Sequence, residues 1–504
     1  MKKKLNLYKG LTLGQGNKAI SVEKINAENI YLRFKISNQR RIIPTQLILD
    51  ILPYLRNKII SIEDIGNRKY RNQHDLPHLF AELHLDYENF LLGYDATIIK
   101  ICEYELSQID NGFTNKLSFS PVTLPKSFIL LAGISGTGKT RFVREQAHYF
   151  TDDLSNYCLV SVRPDWHEPS DLLGYISRLG NNGARYITTD FLRFIVAAWQ
   201  HITDSKDDSI PYWLCLDEMN LAPVEQYFAD YLSIIETRYW DDAGNYHCEA
   251  LLTTGVFQQL DDEGLIDLQT SLGLVGHDAL WEEFKEKGIR IPPNLIVAGT
   301  VNMDETTHGF SRKVIDRAFT LDFGEFFPNT YQDYFQATSR PKPLSFPTLS
   351  QVSIDIISQV SADPDGKNSI AFLEAVNSVL KGTPFELAYR ALNELLLAVV
   401  CFAPEDGLHL QAVWDDFLMT KVLPRIEGDS EKLQDDGENS LLHKLETVLS
   451  VQLASIWADE RTRPDLLRES YDGQLLPPLQ CRSKKKLTWM QARLTGNGFT
   501  SFWP

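Results

Sequence analysis

A glycine-rich segment at residues 133–140 has the residue types and the spacing of a phosphate-binding loop. The segment, called the glycine loop below, reads Gly-Ile-Ser-Gly-Thr-Gly-Lys-Thr. Glycines let backbone N–H groups turn towards phosphate oxygens, the Lys139 ammonium can neutralise those oxygens, and the Thr140 hydroxyl can ligate Mg²⁺. We predict that a nucleotide is bound by Gly133, Ile134, Ser135, Gly136, Thr137, Gly138, Lys139, Thr140 and Arg141.

Two adjacent carboxylates follow an apolar run about 80 residues after the glycine loop. The run is 213–216, and Asp217 and Glu218 come directly after it. We predict that Asp217 holds Mg²⁺ together with Thr140, and that Glu218 activates the attacking water. An Asp-Glu pair after a strand is common, so its spacing from the glycine loop is what favours a catalytic role.

A polar amide closes another apolar segment, 297–302, which ends in Asn302. This position resembles the one where AAA+ proteins have the residue that helps to position the hydrolytic water, and the resemblance implies that role for Asn302 beside Glu218. An asparagine that only forms a turn after the strand is the alternative. With Lys139, these side chains would make a site that hydrolyses a phosphoanhydride bond.

Arginines farther along the chain are candidates for stabilising negative charge on the phosphate that is transferred. Arg317 is predicted to reach the nucleotide of a neighbouring copy of the chain, and Arg312 is a second candidate. A surface ion pair of Arg317 with Asp316 or Asp322 is the alternative. Catalysis between copies implies that they assemble into a closed ring.

A further arginine, Arg390, begins a predicted helix. We expect it to contact the nucleotide that its own copy binds. The alternative is an ion pair with Glu394, because residues four apart are neighbours on a helix.

Short apolar runs surround these side chains and predict buried parallel strands. The runs are 129–132, 159–162, 213–216 and 295–298. A helical pattern at 141–150 follows the glycine loop, and helical stretches separate the later runs, so the sequence predicts an α/β core with a parallel sheet. The stretch 239–291 is longer than one connection needs and predicts an inserted hairpin and helix.

These patterns divide the chain into three predicted regions. Residues 1–120 form a small basic α+β module, with strands within 17–36 and a helix at 44–52. Residues 121–327 form the α/β core that binds the nucleotide, with an insertion around 240–290. Residues 328–504 are predicted to be mainly helical, because apolar residues have helical spacing in 354–380, 388–400 and 441–457.

Charge is unevenly distributed along the 504 residues, whose net charge is −17. Residues 1–74 contain 15 Lys and Arg against 5 Asp and Glu, so this segment carries about +10. A basic module attached to an acidic remainder predicts contact with a polyanion such as DNA, through clusters at 40–41 and 68–71. A solvated surface without a nucleic-acid partner is the alternative.

The composition argues against several classes of protein. No apolar run approaches the roughly 20 residues that a membrane-spanning helix needs. The six cysteines are scattered without a Cys-x-x-Cys pair, which suits neither a disulfide framework nor a zinc site. We expect a soluble cytoplasmic protein without a membrane partner, with enough apolar residues (43%) for several packed cores.

The residues that follow Asn302 resemble a known family. Residues 302–308 read Asn-Met-Asp-Glu-Thr-Thr-His, and residues 310–318 read Phe-Ser-Arg-Lys-Val-Ile-Asp-Arg-Ala. With the motifs before them, these segments resemble the McrB-like GTPases, which are AAA+ motors of modification-dependent restriction systems. The resemblance spans roughly residues 125–504 and includes 162–166, 171–175, 217–222, 421–428 and 498–503.

This resemblance implies an AAA+ core with a C-terminal helical lid, GTP and Mg²⁺ as cofactors, and a hexameric ring. It also implies a separate McrC-like nuclease subunit that cuts DNA. The family's signature, Met-Asn-x-x-Asp-Arg, corresponds here to residues 301–306, where Asn302 is kept but Glu305 and Thr306 replace the Asp and the Arg. GTP therefore comes from the resemblance alone, and ATP is the alternative nucleotide.

Two other classes of function fit the same motifs. The first is a MoxR-like chaperone ATPase that remodels a protein complex, in which residues 1–120 would bind protein instead of DNA. The second is an assembly scaffold that is gated by nucleotide and has negligible turnover.

Overall fold

The computed structural model describes residues 121–503, apart from 180–182, 206–208, 242, 304–309, 329–330, 332–336, 436–438 and 472–474, together with the backbone of four strands nearer the start. The chain divides into two compact units, Met1–Phe119 and Ser120–Pro504. Apart from Pro44, the helix predicted at 44–52 lies outside the described residues, as do the basic cluster at 68–71 and the segment 304–309.

The described part of the first unit is an antiparallel sheet. Its strands, in spatial order, are β1 (Thr12–Leu13), β2 (Ile20–Ile25), β3 (Asn29–Phe34) and β4 (Arg40–Pro44). The strands predicted within 17–36 are confirmed as β2 and β3. Arg40 pairs with Arg33, and Arg41 pairs with Leu32. Because successive residues of a strand alternate between faces, Arg40 and Arg41 lie on different faces of this sheet.

The second unit is built around a parallel sheet that has five strands in the described residues. Together with the shorter strands, they are, in chain order, β5 (Val122–Thr123), β6 (Phe128–Gly133), β7 (Tyr157–Ser161), β8 (Gly174–Ser177), β9 (Arg185–Thr188), β10 (Tyr212–Asp217), β11 (Tyr239–Trp240), β12 (Tyr246–His247), β13 (Ala250–Leu252), β14 (Ile289–Arg290), β15 (Leu295–Asn302), β16 (Phe319–Asp322), β17 (Ser339–Pro341), β18 (Leu344–Ser345), β19 (Glu427–Asp429), β20 (Gln434–Asp435), β21 (Asn439–Ser440), β22 (Arg468–Ser470) and β23 (Phe499–Ser501).

The spatial order of the parallel sheet is β16, β6, β15, β10, β7. Each neighbouring pair is parallel. The predicted parallel sheet is therefore confirmed, and each of the four apolar runs supplies one strand. The fifth strand, β16, was not predicted, and it pairs with β6 at one edge of the sheet.

Helices connect and cover the strands. In chain order they are α1 (Lys139–His148), α2 (Pro169–Leu173), α3 (Asp190–Ser205), α4 (Val224–Tyr227), α5 (Ala229–Ile234), α6 (Thr254–Gln258), α7 (Asp262–Ser271), α8 (Asp278–Lys287), α9 (Arg312–Ile315), α10 (Phe323–Phe326), α11 (Ile354–Ile357), α12 (Lys367–Leu380), α13 (Tyr389–Phe402), α14 (Gly407–Phe417), α15 (Leu441–Gln452), α16 (Ala454–Trp457) and α17 (Arg482–Asn497). None of the described helices is long and apolar enough to cross a membrane.

The sheet separates two hydrophobic cores, because alternate residues of each strand point to opposite faces. In β6, Ile129 and Leu131 pack with α1 and the C-terminal helices, whereas Phe128 and Leu130 pack with α3 and the segment 239–291. All six residues of β6 are buried. This explains why the strand appears in the sequence as a continuous apolar run instead of an alternating one.

The segment 239–291 contains a hairpin, as predicted, but more than the single helix expected. Strands β11 and β12 form the hairpin, and β13 pairs with β14. Between β13 and β14 lie α6, α7 and α8. A second hairpin, formed by β8 and β9 between α2 and α3, was not predicted.

The helical spacing predicted beyond residue 328 is confirmed by α12, α13 and α15. The helix α17 was not predicted, because Lys and Arg occupy four of its first five positions and Ser483 occupies the fifth. At the end of α17, β23 turns back and pairs with β19. Two segments of the family resemblance, 421–428 and 498–503, therefore meet in the structure.

Candidate functional site

The glycine loop joins β6 to α1 at the carboxyl edge of the parallel sheet, which is the edge where its strands end. The backbone adopts positive φ at Gly136 (78°) and Gly138 (92°). Residues with a Cβ rarely adopt such angles, so conformation requires glycine at both positions. Gly138 is also the N-cap of α1, so the helix directs N–H groups and partial positive charge towards the loop.

Lys139 is the first residue of α1 and is almost fully buried. Its ammonium donates to the carbonyl oxygens of Gly133 (3.1 Å) and Ile134 (2.8 Å), so the side chain folds back over the glycine loop. The positive charge is thus held where phosphate binding is predicted. Arg141 pairs with Glu145 (2.7 Å) on the exposed side of α1, and its part in nucleotide binding stays a prediction.

Thr140 and Asp217 meet although 77 positions separate them in the chain. The Thr140 hydroxyl donates to Asp217 Oδ1 at 2.7 Å, and the Thr300 hydroxyl donates to the same oxygen at 2.7 Å. Thr300 also accepts a hydrogen bond from the Glu218 backbone N–H (2.9 Å). Thr300 is buried on β15 and therefore fixes both acidic residues. Sequence reasoning missed it, although a hydroxyl two positions before Asn302 in an apolar strand is a usable signal.

Glu218 adopts a left-handed backbone conformation, with φ 53° and ψ 49°. It is one of three non-glycine residues with positive φ in the described part of the chain. Such a conformation costs of order 1–2 kcal/mol and is found most often at functional sites. The strained residue comes directly after Asp217, where β10 ends.

Asn302 lies beside Glu218 as predicted from the sequence. Its amide Nδ2 is 3.4 Å from Glu218 Oε1, which is a long hydrogen bond. The Asn220 side chain donates to the Asn302 carbonyl (3.2 Å), and both asparagines are buried. This bond from Asn220 goes to the backbone carbonyl, so it fixes the main chain at Asn302 and leaves the side-chain amide to contact Glu218.

The site lies between two neighbouring strands whose onward connections run to opposite sides of the sheet. The neighbours β6 and β15 connect onward in opposite directions, β6 to β7 and β15 to β16. Right-handed crossovers put these two connections on opposite faces, and ligands of open parallel sheets bind in the crevice that results. Gly133 pairs with Asn302 across this crevice, and the Met303 N–H donates to the Gly133 carbonyl (3.2 Å).

The arginine candidates have partners of their own. Arg317 Nε is 3.8 Å from Glu236 Oε1, and Arg390 Nη2 forms an ion pair with Glu236 Oε2. Arg312 donates to the carbonyl of Pro384 (2.7 Å) and lies over the Phe385 ring. Glu236 was not identified from the sequence.

The acidic residues considered as alternative partners of these arginines pair with other residues. Asp316 pairs with Lys421 and Arg425, and Asp322 pairs with Lys486. Glu394 pairs with Lys126 (2.9 Å) and Lys421 (2.8 Å). Arg317 and Arg390 are thus paired with the same glutamate.

A buried cluster fixes α13 to the start of β6. Lys126 donates to the carbonyls of Asp316 (2.8 Å) and Ala318 (3.2 Å) in addition to its ion pair with Glu394. Burial lowers the pKa of Lys126 to about 8, although Glu394 opposes this shift. The C-terminal helices are therefore attached to the amino edge of the sheet, opposite the glycine loop.

Comparison with known families assigns part of the chain. A family described as a domain of unknown function (DUF8727) matches residues 351–499. The match covers less than a third of the chain, and it includes the C-terminal helices and Arg390 but neither the glycine loop nor the two acidic residues. The comparison with curated proteins finds no match.

The described residues thus bring together five side chains that the sequence predicted to act together: Lys139, Thr140, Asp217, Glu218 and Asn302. They place Arg317 and Arg390 in a second cluster around Glu236. This arrangement offers an ammonium ion, two oxygen ligands, a carboxylate and an amide at one edge of a parallel sheet.

Proposed function

We propose that this protein is a Mg²⁺-dependent nucleoside triphosphatase with an AAA+ core. The observation that carries the proposal is the hydrogen bond of Thr140 to Asp217, which joins the glycine loop to the acidic pair at the carboxyl edge of the sheet. A chance glycine-rich pattern would have no reason to lie beside these acidic residues. The crevice between β6 and β15, where ligands of open parallel sheets bind, supports nucleotide binding at the glycine loop.

Each side chain has a separate task in the proposed reaction. Lys139 and the N–H groups of the glycine loop bind the phosphates. Thr140 and Asp217 supply hard oxygen ligands that fit Mg²⁺, which when bound stabilises charge on the phosphates. Glu218 accepts a proton from the attacking water, and Asn302 orients that water.

Two substitutions test the nucleotide site. Lys139→Ala should abolish nucleotide binding, because the phosphates lose their principal counter-charge. Glu218→Gln should bind nucleotide but not hydrolyse it. Lys367→Ala and Glu282→Gln, at exposed positions, are the matched controls and should leave both properties unchanged. Loss of nucleotide binding in Glu218→Gln would refute its assignment as the base.

The same proposal extends to the biological role. The segments at 302–308 and 310–318 support an McrB-like motor that assembles into a hexameric ring, hydrolyses GTP, binds DNA through residues 1–120 and drives an McrC-like nuclease subunit. Hydrolysis of GTP and of ATP should be measured with and without duplex DNA at roughly 100 mM salt. Strong preference for ATP without DNA retention would favour the MoxR-like chaperone instead. No turnover under any condition would favour the scaffold.

Substitutions on β4 test the proposed DNA contact. Arg40 and Arg33 are partners on one face of the antiparallel sheet, and Arg41 belongs to the other face. Arg40→Glu should weaken DNA retention and leave basal hydrolysis unchanged, because charge reversal repels phosphate. Arg41→Glu changes the same charge on the opposite face. Unchanged retention in both variants would show that residues 1–120 have another partner.

A further inference from the structure

The cluster formed by Glu236, Arg317 and Arg390 lies at the amino edge of the parallel sheet. Phe319 pairs with Ile129, so Arg317, two residues earlier, lies level with Ser127 at the start of β6. Lys126, directly before Ser127, donates hydrogen bonds to the carbonyls of Asp316 and Ala318, which agrees with this position of Arg317 along β6.

This position is too far from the glycine loop of the same chain for a direct contact. Gly133 is six residues beyond Ser127, which corresponds to roughly 20 Å along a strand. An arginine side chain spans six bonds and reaches less than about 8 Å from its Cα. The side chain of Arg317 is therefore too short to reach the glycine loop of its own chain.

Arg390 shares this position, as two independent contacts indicate. Its guanidinium pairs with the same carboxylate as Arg317. One helical turn later, Glu394 pairs with Lys126, directly before β6. The start of α13 is thus fixed at the amino edge, where Arg390 cannot reach the glycine loop of its own chain.

The two guanidinium groups remain accessible to another molecule. The side chain of Arg390 is half exposed, and that of Arg317 is about a quarter exposed. Arg317 Nε is itself buried and makes no hydrogen bond among the described residues, so another molecule could contact only the exposed remainder of this side chain. Two guanidinium groups against one carboxylate leave a net positive charge, and guanidinium is well suited to bidentate contact with phosphate.

We propose that Arg390 acts with Arg317 on the triphosphate bound by a neighbouring copy of the chain, and that Glu236 is the positioning residue that holds the two arginines together. The inference builds on the proposed triphosphatase and its ring. Phosphates bind at the carboxyl edge and these arginines lie at the amino edge, so a head-to-tail interface brings the two sites together. The sequence predicted that Arg390 contacts the nucleotide of its own chain. The proposed partner is now the nucleotide of the neighbouring chain.

Mixing two inactive variants tests this assignment. Arg390→Ala keeps an intact glycine loop, and Glu218→Gln keeps both arginines but cannot hydrolyse. Each variant alone should lose tenfold or more of its hydrolysis rate. In an equimolar mixture, an Arg390→Ala chain that meets a Glu218→Gln neighbour regains activity, so random assembly should restore about a quarter of the wild-type rate. If Arg390 served its own chain, the mixture would stay as inactive as its components.

The corresponding mixture with Arg317→Ala separates this inference from the ring itself. Recovery with Arg317→Ala but not with Arg390→Ala would overturn the role of Arg390 and leave the ring intact. No recovery with either would overturn the assignment of both arginines to the nucleotide of a neighbouring chain. Wild-type hydrolysis by Arg390→Ala alone would also overturn the inference. Arg390→Gln, which retains a hydrogen-bond donor for Glu236, repeats the test if Arg390→Ala fails to fold.

Glu236→Gln tests the positioning role. It should lower the hydrolysis rate at saturating nucleotide without changing nucleotide affinity, because the glycine loop lies at the other edge of the sheet. The same mixture with Glu218→Gln should recover to about a quarter of the wild-type rate, which a general loss of structure would not allow. Unchanged hydrolysis in Glu236→Gln would remove Glu236 from the assignment.

Discussion

At the scale of single residues, the site depends on a hydroxyl that holds two acidic groups in place. Thr300 donates to the Asp217 carboxylate and accepts from the Glu218 backbone N–H. The contact with the Glu218 N–H holds a residue whose backbone is in the left-handed conformation. The Thr300 side chain is itself buried, so an apolar residue in its place would make neither contact.

Thr300→Val should weaken both the fold and the site. The loss of both hydrogen bonds of the Thr300 hydroxyl, one of them to a carboxylate, should lower the free energy of unfolding by roughly 1–3 kcal/mol. The Mg²⁺ concentration for half-maximal hydrolysis should rise, because Asp217 loses one of its two hydroxyl donors. Urea unfolding and a Mg²⁺ titration measure the two effects.

Thr320→Val on β16 is the matched control. Thr320 is fully buried, and its hydroxyl has no hydrogen-bond partner among the described residues. Replacement by an isosteric apolar residue should therefore be neutral or slightly stabilising. Equal destabilisation by both substitutions would show that side-chain packing, not hydrogen bonding, determines the effect.

The buried ammonium of Lys126 predicts a dependence of stability on pH. Its pKa is lowered to about 8 in the folded chain from 10.5. Between these values the unfolded chain binds a proton that the folded chain has lost, so this group makes the free energy of unfolding rise with pH. From pH 7.5 to 9.5, wild type should gain roughly 1–2 kcal/mol relative to Lys126→Met. If the difference in the free energy of unfolding between wild type and Lys126→Met did not change with pH, the pKa of Lys126 would not be lowered.

At the scale of elements, the hairpin of β8 and β9 depends on a close approach of two backbones. Gly174 begins β8 with φ 100°, and a Cβ there would lie 2.1 Å from the carbonyl oxygen of Ile187 on β9. Neither the angle nor the space allows a side chain. This glycine therefore ends α2 and allows the strands to pair.

Gly174→Ala should lower the free energy of unfolding by at least about 2 kcal/mol, because the incompatible angle and the backbone clash act together. Gly496→Ala is the control. Gly496 lies in α17, and a Cβ there would meet nothing within 4 Å. That substitution should stabilise the protein by about 0.5–1 kcal/mol. Destabilisation of similar size by both changes would refute the account of the hairpin.

At the scale of the whole second unit, a buried network of charges joins segments that are distant in the sequence. Asp416 on α14 accepts hydrogen bonds from Arg463 (2.8 Å) and from Arg482 at the start of α17 (2.7 Å). Arg482 also lies over the ring of Phe326 in α10. Burial opposes ionisation of the neighbouring Asp415, but Arg463 overrides it and lowers the pKa of that carboxyl. The charges are tolerated because each is paired.

Asp416→Ala should lower the free energy of unfolding by about 3–5 kcal/mol, because it leaves two buried arginines without this partner. Asp459→Ala removes a carboxylate that pairs with Lys484 at 2.6 Å on the surface. Its effect should be below about 1 kcal/mol, since water replaces the partner. Urea unfolding distinguishes the two, and equal effects would show that burial does not matter here.

The sequence by itself determined the local chemistry. The glycine loop is recognisable because its angles and its charge come from consecutive residues, and the buried strands because both of their faces are apolar. The motif order then predicted that Thr140, Asp217, Glu218 and Asn302 would act together, since parallel strands end at one edge.

Only the tertiary structure decided the remaining contacts, because they join residues between which the sequence has no periodic relation. Thr300 reaches Asp217 through the register of neighbouring strands. Glu236 meets Arg317 and Arg390 only when the C-terminal helices pack on the amino edge of the sheet. Helical spacing suggested Glu394 as the partner of Arg390, but tertiary packing directs Glu394 to buried lysines, where its charge is compensated.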